Sequence, residues 1–161
     1  MVAALPDPNP RVSGKGINRL RSAGVRVDVG LLRDKAARLV EPFACHVTTG
    51  RPLVVSKAGM SLDGRIATRH RVDKWITSEQ GREFGQGLRF ELDAILVGSG
   101  TVLADDPELT YRGSKKKGRP MCRVVLDGRL RMPKTARILQ NTPQHPLLIF
   151  CSAPRHGFAT P

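Results

Sequence analysis

Short apolar runs bounded by turn residues constrain the fold of this chain most strongly. Runs of three or four apolar residues occupy positions 53–55, 94–97, 124–126 and 147–150. Runs of this length are typical of strands that are buried on both faces of an α/β sheet. We therefore predict an α/β fold in which strands alternate with short helices.

A helix start lies between the first two runs. Thr77 can cap this helix and Gln80 can reach back in a capping box, and the helix is expected to extend to about Arg89 or Glu91. Glycines at positions 81, 85 and 87 each cost about 1 kcal/mol relative to alanine, so this helix needs tertiary support.

The first fifty residues predict a smaller arrangement of their own. Apolar side chains at helical spacing predict a helix over 14–23 that ends at Gly24, and valines at 25, 27 and 29 predict a half-buried strand. Helical spacing returns over 31–40, where Pro42 is expected to stop the helix, and a linker is expected over 44–52.

Composition narrows the class of protein. The formal net charge of +13 attracts polyanions of any kind, but the chain has few aromatic side chains on which bases could stack, so we expect no nucleic acid partner. The lysines at 115–117 are interpreted as part of a solvated loop.

No apolar run is long enough to span a membrane and prolines interrupt the first residues, which predicts a cytoplasmic protein without a membrane partner. Three scattered cysteines predict reduced thiols.

Two segments carry residues suited to a ligand site. In the first, a strand could deliver Lys57 inward, Gly59 would allow a planar ligand to approach the backbone, and Asp63-Gly64 forms a turn. The alternative is that Lys57 faces solvent and the turn is an ordinary hairpin turn.

The second segment is an apolar strand that runs into Gly98-Ser99-Gly100-Thr101. Its main-chain N–H groups and hydroxyl would suit an anionic ligand at the carboxyl end of the strand, and the alternative is a plain tight turn. Leu103 occupies the third glycine position of a dinucleotide fingerprint, so an ordinary Rossmann site is not supported.

Taken in order, the strings KAGMSLDGRIA, WITSEQ, DAILVGSGTVLADDPELTYR and RVVLDG resemble the reductase domain of the bifunctional riboflavin biosynthesis deaminase/reductase family. The string DPNPRVSGKGINRLRSAGVRVDVG resembles the end of that family's deaminase domain. The resemblance implies that residues 1–50 are a remnant of a cytidine-deaminase-like α/β domain. It implies that residues 51–161 are the first part of a dihydrofolate-reductase-like α/β domain, with a mixed sheet and flanking helices.

The resemblance also implies an activity and its residues. Family members use NADPH to reduce the ribose of 5-amino-6-(5-phosphoribosylamino)uracil, a phosphoribosylaminopyrimidine, and their reductase domains tend to form homodimers. Carried over by position, the cofactor contacts fall on Gly59, Trp75, Thr101, Asp105 and Gly128. The substrate contacts fall on Asp73, Arg89, Leu109 and Arg112. Lys57 and Asp105 are the candidates for handling the proton that accompanies hydride transfer.

The chain also departs from the family pattern. Zinc deaminases need a His-x-Glu motif and a Pro-Cys-x-x-Cys motif, and neither occurs, so we expect no deaminase activity and no zinc. The family's later glutamate and glycine-rich turn fall beyond the position of Pro161, so the chain is expected to be a truncated form.

Three functions remain in competition. The first is an NADPH-dependent reductase, acting alone or with the missing half supplied by another polypeptide. The second is a non-catalytic fragment that serves as a nucleotide-binding or interaction module. The third, a basic nucleic-acid-binding protein, rests on the net charge only.

Overall fold

The computed structural model describes residues 1–67 and 76–152, and the chain divides into two compact units with the boundary between Lys57 and Ala58. Strands and helices alternate along the described residues, which confirms the predicted α/β class. In chain order the elements are β1 (Val2–Ala3), α1 (Lys15–Ser22), β2 (Asp28–Val29), α2 (Arg33–Leu39), α3 (Glu41–Thr49), α4 (Glu79–Glu91), β3 (Ala94–Gly98), α5 (Ser99–Asp105), β4 (Cys122–Leu126) and β5 (Leu147–Phe150).

The first unit contains a small parallel sheet and three helices. Strands β1 and β2 pair in parallel, with Val2 opposite Asp28. Helix α1 ends as predicted, because Gly24 adopts the left-handed conformation with φ 78°, which favours glycine. The strand predicted from the valines at 25, 27 and 29 is shorter than expected, and Val27, which precedes it, is the one buried valine of the three.

Two helices adjoin near Pro42. Helix α2 ends at Leu39, before Pro42, as predicted, but Pro42 then lies in the first turn of α3, where its missing N–H would have no intrahelical partner. The linker expected over 44–52 is therefore mostly helix, and α3 continues to Thr49 before Gly50 ends it with φ 70°.

The strand predicted at 53–55 is also wrong. These residues form no strand, and Val54 is 83% exposed. A strand requires a hydrogen-bonding neighbour, and none of the described residues pairs with this segment.

The second unit is built on a three-stranded parallel sheet in the order β3-β4-β5. All three strands begin and end within two residues of the predicted runs. Every strand pair among the described residues is parallel, so the antiparallel pairing of a mixed sheet is not found among them.

The two faces of this sheet differ in burial. Side chains of Val97 and Val125 lie on the face that packs against α5 and the short 3-10 helix Arg137–Leu139, where Val102 and Ile138 complete the core. On the other face, larger apolar side chains remain exposed: Leu96 by 58%, Leu126 by 48%, Leu148 by 52% and Phe150 by 57%. The prediction that these strands are buried on both faces is therefore wrong for the outer strands β3 and β5.

Helix α4 begins one residue later than the capping box predicts. Ser78, not Thr77, is the N-cap, and its Oγ accepts a hydrogen bond from the N–H of Gly81 at 3.3 Å. A cap at Ser78 puts Gly81 at the third helical position, so Gln80 has no place in a capping box. The predicted end at Glu91 is confirmed.

Candidate active site

The carboxyl ends of the three parallel strands form one edge of the sheet. Strand β3 runs directly into α5, whose first turn holds Ser99 and Thr101. Strand β4 is followed by Asp127 and Gly128, beside the exit of β5. Open parallel sheets bind their ligands outside these carboxyl ends, which makes this edge a candidate ligand site.

Asp127 is a fully buried carboxylate at this edge. Its Oδ2 accepts a hydrogen bond from the N–H of Met132 at 2.8 Å, whereas Oδ1 has no hydrogen-bond partner among the described residues. Burial raises the pKa of Asp127, but the N–H groups of Arg131 and Met132 and the charge of Arg131 outweigh it, so that the pKa lies below its usual value. The carboxylate is therefore held in its ionised form.

Arg131 brings a positive charge to the start of α5. Its Nη2 donates a hydrogen bond to Oγ of the buried Ser99 at 2.9 Å. The first main-chain N–H groups of a helix have no intrahelical acceptors, and they add to the positive potential there. The tight turn expected at 98–101 is thus the first turn of α5, with Gly98 as its N-cap.

Three of the predicted cofactor contacts belong to this edge and to α5. Thr101 and Asp105 are both exposed and lie four residues apart, which puts them on the same face of α5. Gly128 follows β4, and its carbonyl accepts hydrogen bonds from the N–H of Ser152 at 3.3 Å and from its Oγ at 2.6 Å. These bonds connect the segments that leave β4 and β5.

Three of the predicted substrate contacts gather where α4 faces the loop that follows α5. Arg89 donates from Nη1 to the carbonyl of Thr110 at 3.2 Å, and the N–H of Arg112 donates to Oε1 of Gln86 at 2.9 Å. Burial lowers the pKa of Arg89, and the charge of Arg112 lowers it further. Leu109 is buried in the core with φ 55°, which fixes the loop just before these two guanidinium groups.

The basic loop, residues 106–121, exposes Lys115 and Lys116 to solvent as expected, whereas Lys117 attaches it to the end of α4. The Nζ of Lys117 donates to the carbonyls of Phe90, at 2.5 Å, and Leu92, at 2.8 Å. These carbonyls end the helix, where a cation is favourable. The rings of Phe90 and Tyr111 pack 5.5 Å apart, and Lys115 lies 5.8 Å from the Phe90 ring centre.

Buried and surface arginines hold the other side of the same loop. Arg123 is 1% exposed and donates from Nη1 to the carbonyl of Glu108 at 3.2 Å and from Nη2 to the carbonyl of His145. Arg137 pairs with the Glu108 carboxylate, and its N–H donates to Oδ1 of Asp106 at 2.8 Å. The loop that presents Leu109 is therefore fixed on both sides.

Four predicted site residues remain: Lys57, Gly59, Asp73 and Trp75. Lys57 is exposed at the end of the first unit and does not follow a strand, so the expectation that a strand points it inward is wrong. Gly59 is half-buried and precedes the predicted Asp63-Gly64 turn, which is confirmed by the bond from the N–H of Gly64 to the carbonyl of Ser61 at 2.9 Å. Asp73 and Trp75 lie outside the described residues.

The turn itself binds its own polar side chains. Oδ1 of Asp63 accepts from the Ser61 hydroxyl and Oδ2 accepts from the Arg65 guanidinium at 2.8 Å. These two bonds lower the pKa of Asp63. The exposed carboxylate therefore stabilises the turn, which favours the interpretation of Asp63-Gly64 as an ordinary turn, although no strands flank it in the described part of the chain.

Sequence reasoning missed the side chains that position these sites, notably Gln86, Arg123, Asp127 and Arg131. The one available signal was the polar residue Arg123 inside an otherwise apolar strand. The partners of Gln86 and Arg131 lie 26 and 32 residues away in the sequence, and no local pattern reveals such partners.

The described residues, 1–67 and 76–152, contain no cluster of three or more histidine, cysteine, aspartate or glutamate side chains arranged to hold a metal ion. Over the same ranges, every helix is too short or too polar to cross a membrane.

Comparison with known proteins identifies the family of this chain. Residues 52–157 match the family described as the RibD C-terminal domain. The chain belongs to the RibD C-terminal domain family. The matched residues include the carboxyl edge of the sheet. They also include Arg89 on α4 and Arg112 on the loop after α5.

Relatives carry the same assignment. The riboflavin biosynthesis protein RibD of Aquifex aeolicus is 42% identical over 149 residues, which are 92% of this chain and 41% of that protein. RibD of Bacillus amyloliquefaciens is 48% identical over 136 residues, 84% of this chain and 36% of that protein. The chain thus spans about two fifths of the length of these relatives.

Solved structures agree with the fold. A diaminohydroxyphosphoribosylaminopyrimidine deaminase/5-amino-6-(5-phosphoribosylamino)uracil reductase of Thermotoga maritima superposes with a TM-score of 0.82 at 36% identity, covering 98% of this chain and 44% of that one. RibD of Acinetobacter baumannii superposes with a TM-score of 0.74 at 39% identity, covering 92% of this chain and 42% of that one.

Proposed function

We propose that this chain carries the reductase site of riboflavin biosynthesis, which uses NADPH to reduce the ribose of 5-amino-6-(5-phosphoribosylamino)uracil to its ribitylamino form. The observation that carries the proposal is the position of two arginines within a RibD C-terminal domain. Arg89 on α4 and Arg112 on the loop after α5 lie where that helix contacts that loop. The named activity of the similar Thermotoga maritima protein supports it.

The two guanidinium groups are suited to a phosphate monoester. Burial and, to a lesser degree, the charge of Arg112 disfavour the charged form of Arg89 and lower its pKa, and a dianionic phosphate would stabilise both guanidinium charges. Planar guanidinium groups also bind phosphate oxygens in pairs. We assign Arg89 and Arg112 to the substrate phosphate, with Leu109 and Asp73 as further substrate contacts.

The carboxyl edge of the sheet fits an anionic dinucleotide. Arg131 and the first N–H groups of α5 supply positive potential beside the exposed hydroxyl-bearing Thr101. We assign Thr101, Asp105 and Gly128 to the cofactor, together with Gly59 and Trp75. Bound NADPH supplies the hydride for the sugar carbon, and the protein supplies orientation.

The proton that accompanies the hydride needs a donor. Lys57 and Asp105 are our candidates for this role, because the family resemblance points to both positions and both carry exposed ionisable groups. We further assign residues 1–50 to a remnant of a cytidine-deaminase-like domain without zinc. Residues 51–161 are assigned to a dihydrofolate-reductase-like domain that forms a homodimer in the cytoplasm.

A second candidate function is a non-catalytic nucleotide-binding or interaction module. The exposed apolar face of the β3-β4-β5 sheet favours it, because parallel sheets are normally covered on both faces. In this case the chain would bind NADPH or a partner without turnover.

Substitution of Arg112 tests the proposed function. Arg112→Ala should raise the substrate KM about tenfold or more and change the NADPH KM little, since a charge-assisted bond contributes about 1.5–3 kcal/mol. Steady-state kinetics with each reactant varied in turn would measure both constants. Exposed Arg129 offers a matched control, and Arg129→Ala should leave both constants unchanged. Equal effects of Arg112→Ala on both constants would contradict the assignment, and absence of turnover with retained NADPH binding would favour the second function.

A further inference from the structure

One face of α4 makes every described contact between this helix and the basic loop. Gln86, Arg89 and Phe90 are spaced by three and four residues, so their side chains lie on the same side of the helix. They contact Arg112, Thr110 and Tyr111, respectively. The loop is therefore attached to the last two turns of the helix and not at a single point.

Gln86 makes the contact closest to the second arginine. Its Oε1 accepts the main-chain N–H of Arg112 at 2.9 Å, whereas the Arg112 residue as a whole is exposed. An exposed arginine has several rotatable bonds, so fixing its main chain is what limits where its guanidinium can lie. The Arg89 bond fixes Thr110, two residues earlier, and leaves Arg112 itself unfixed.

We propose that Gln86 is a positioning residue for the phosphate-binding arginine pair, acting through the main chain of Arg112. This inference rests on the proposed function, because it assumes that Arg89 and Arg112 bind the phosphate of the substrate together. Gln86 touches neither the phosphate nor the cofactor in this assignment. Its effect is to hold the second guanidinium near the first, so that one anion can bind both.

The first test uses Gln86→Met, which keeps the length of the side chain and removes the acceptor. With the full chain, ribose 5-phosphate binding measured by calorimetry should weaken roughly five- to tenfold, since a lost hydrogen bond is worth about that factor. Ribose without phosphate reports binding that does not involve the anion. Gln80→Met, at an exposed glutamine in the first turn of the same helix, is the matched control and should bind like the wild type.

A double-mutant cycle separates positioning from general stability. In an Arg112→Ala background, Gln86→Met should weaken ribose 5-phosphate binding no further, because the residue through which Gln86 acts is gone. Equal weakening in both backgrounds would overturn the inference. Amide hydrogen exchange gives a readout that needs no ligand, and Gln86→Met should speed exchange at the N–H of Arg112 while residues 94–98 of β3 keep their protection.

NADPH titration of the same samples distinguishes this inference from the proposed function. Wild-type chain that binds ribose 5-phosphate but not NADPH would contradict the proposed reductase. The double-mutant cycle would still test the role of Gln86 in that case. Wild-type chain that binds NADPH but shows no phosphate-dependent binding of ribose 5-phosphate would overturn the inference together with the assignment of Arg89 and Arg112 to the substrate phosphate, and would leave the cofactor assignment standing.

Discussion

At the scale of single residues, a buried carboxylate fixes the chain where β4 ends. Asp127 is fully buried and ionised, and it holds the N–H of Met132 after the chain has turned back. Burying an ionised group is unfavourable unless donors compensate. The donors here are main-chain groups of residues 131 and 132, so the carboxylate shapes the turn that carries Gly128.

Asp127→Asn should lower the free energy of unfolding at neutral pH by about 1–3 kcal/mol, because charge-assisted hydrogen bonds are lost. The folded-state pKa of Asp127 is depressed, so its stabilisation is present above about pH 4 and is lost as the pH falls through the folded-state pKa. The variant should therefore lose less stability than the wild type on acidification below about pH 4. Urea unfolding at several pH values measures this, and parallel pH profiles for the two proteins would contradict it.

The site residues that the sequence could single out are those that the family resemblance covers. The resemblance singled out Arg89 and Arg112, and the structure places both at one helix-loop junction. It did not single out Gln86 or Asp127, because their partners are main-chain N–H groups that become neighbours only after folding. Lys57 was expected on a strand that does not form, since the segment lacks a pairing partner among the described residues.

At the scale of elements, strands were located more accurately than helix starts. The runs at 94–97, 124–126 and 147–150 lie in strands, because a short continuous apolar run flanked by turn residues usually forms a buried strand. Helix α3 was missed because proline was taken as a stop, although proline is also favourable in a first turn. The capping box at α4 was misplaced because Thr77 and Ser78 are both good caps and only the fold selects between them.

Two substitutions at α4 distinguish the observed cap from the predicted one. Ser78→Ala should destabilise the chain by about 1 kcal/mol, because the N–H of Gly81 loses its acceptor. Gln80→Ala should leave stability nearly unchanged, since Gln80 is not at the capping-box position. Thermal unfolding followed by circular dichroism measures both, and a larger loss for Gln80→Ala than for Ser78→Ala would contradict the observed cap.

At the scale of the whole molecule, the described residues cover the parallel sheet of the second unit on one face only. Leu96, Leu148 and Phe150 are exposed on the other face, and the chain spans about two fifths of its relatives' length. Exposed apolar surface of this kind promotes self-association. The sequence could not predict this asymmetry, because apolar runs look the same whether one face or both faces of a sheet are covered.

Leu148→Glu should therefore reduce concentration-dependent association, measured by light scattering, with little change in the free energy of unfolding. Leu148 is 52% exposed, so a carboxylate there remains in water. Val125→Glu is the contrasting variant, because Val125 is fully buried and its replacement should unfold the second unit. Marked destabilisation by Leu148→Glu would mean that this face is covered in solution.

We propose that the second unit forms a cofactor and substrate site of the RibD reductase type. The first experiment is titration of the purified chain with NADPH, followed by nicotinamide fluorescence, with NADH as the control. We expect saturable binding that prefers NADPH and is weakened by substitution of Thr101. A soluble, folded chain that binds neither nucleotide would contradict it.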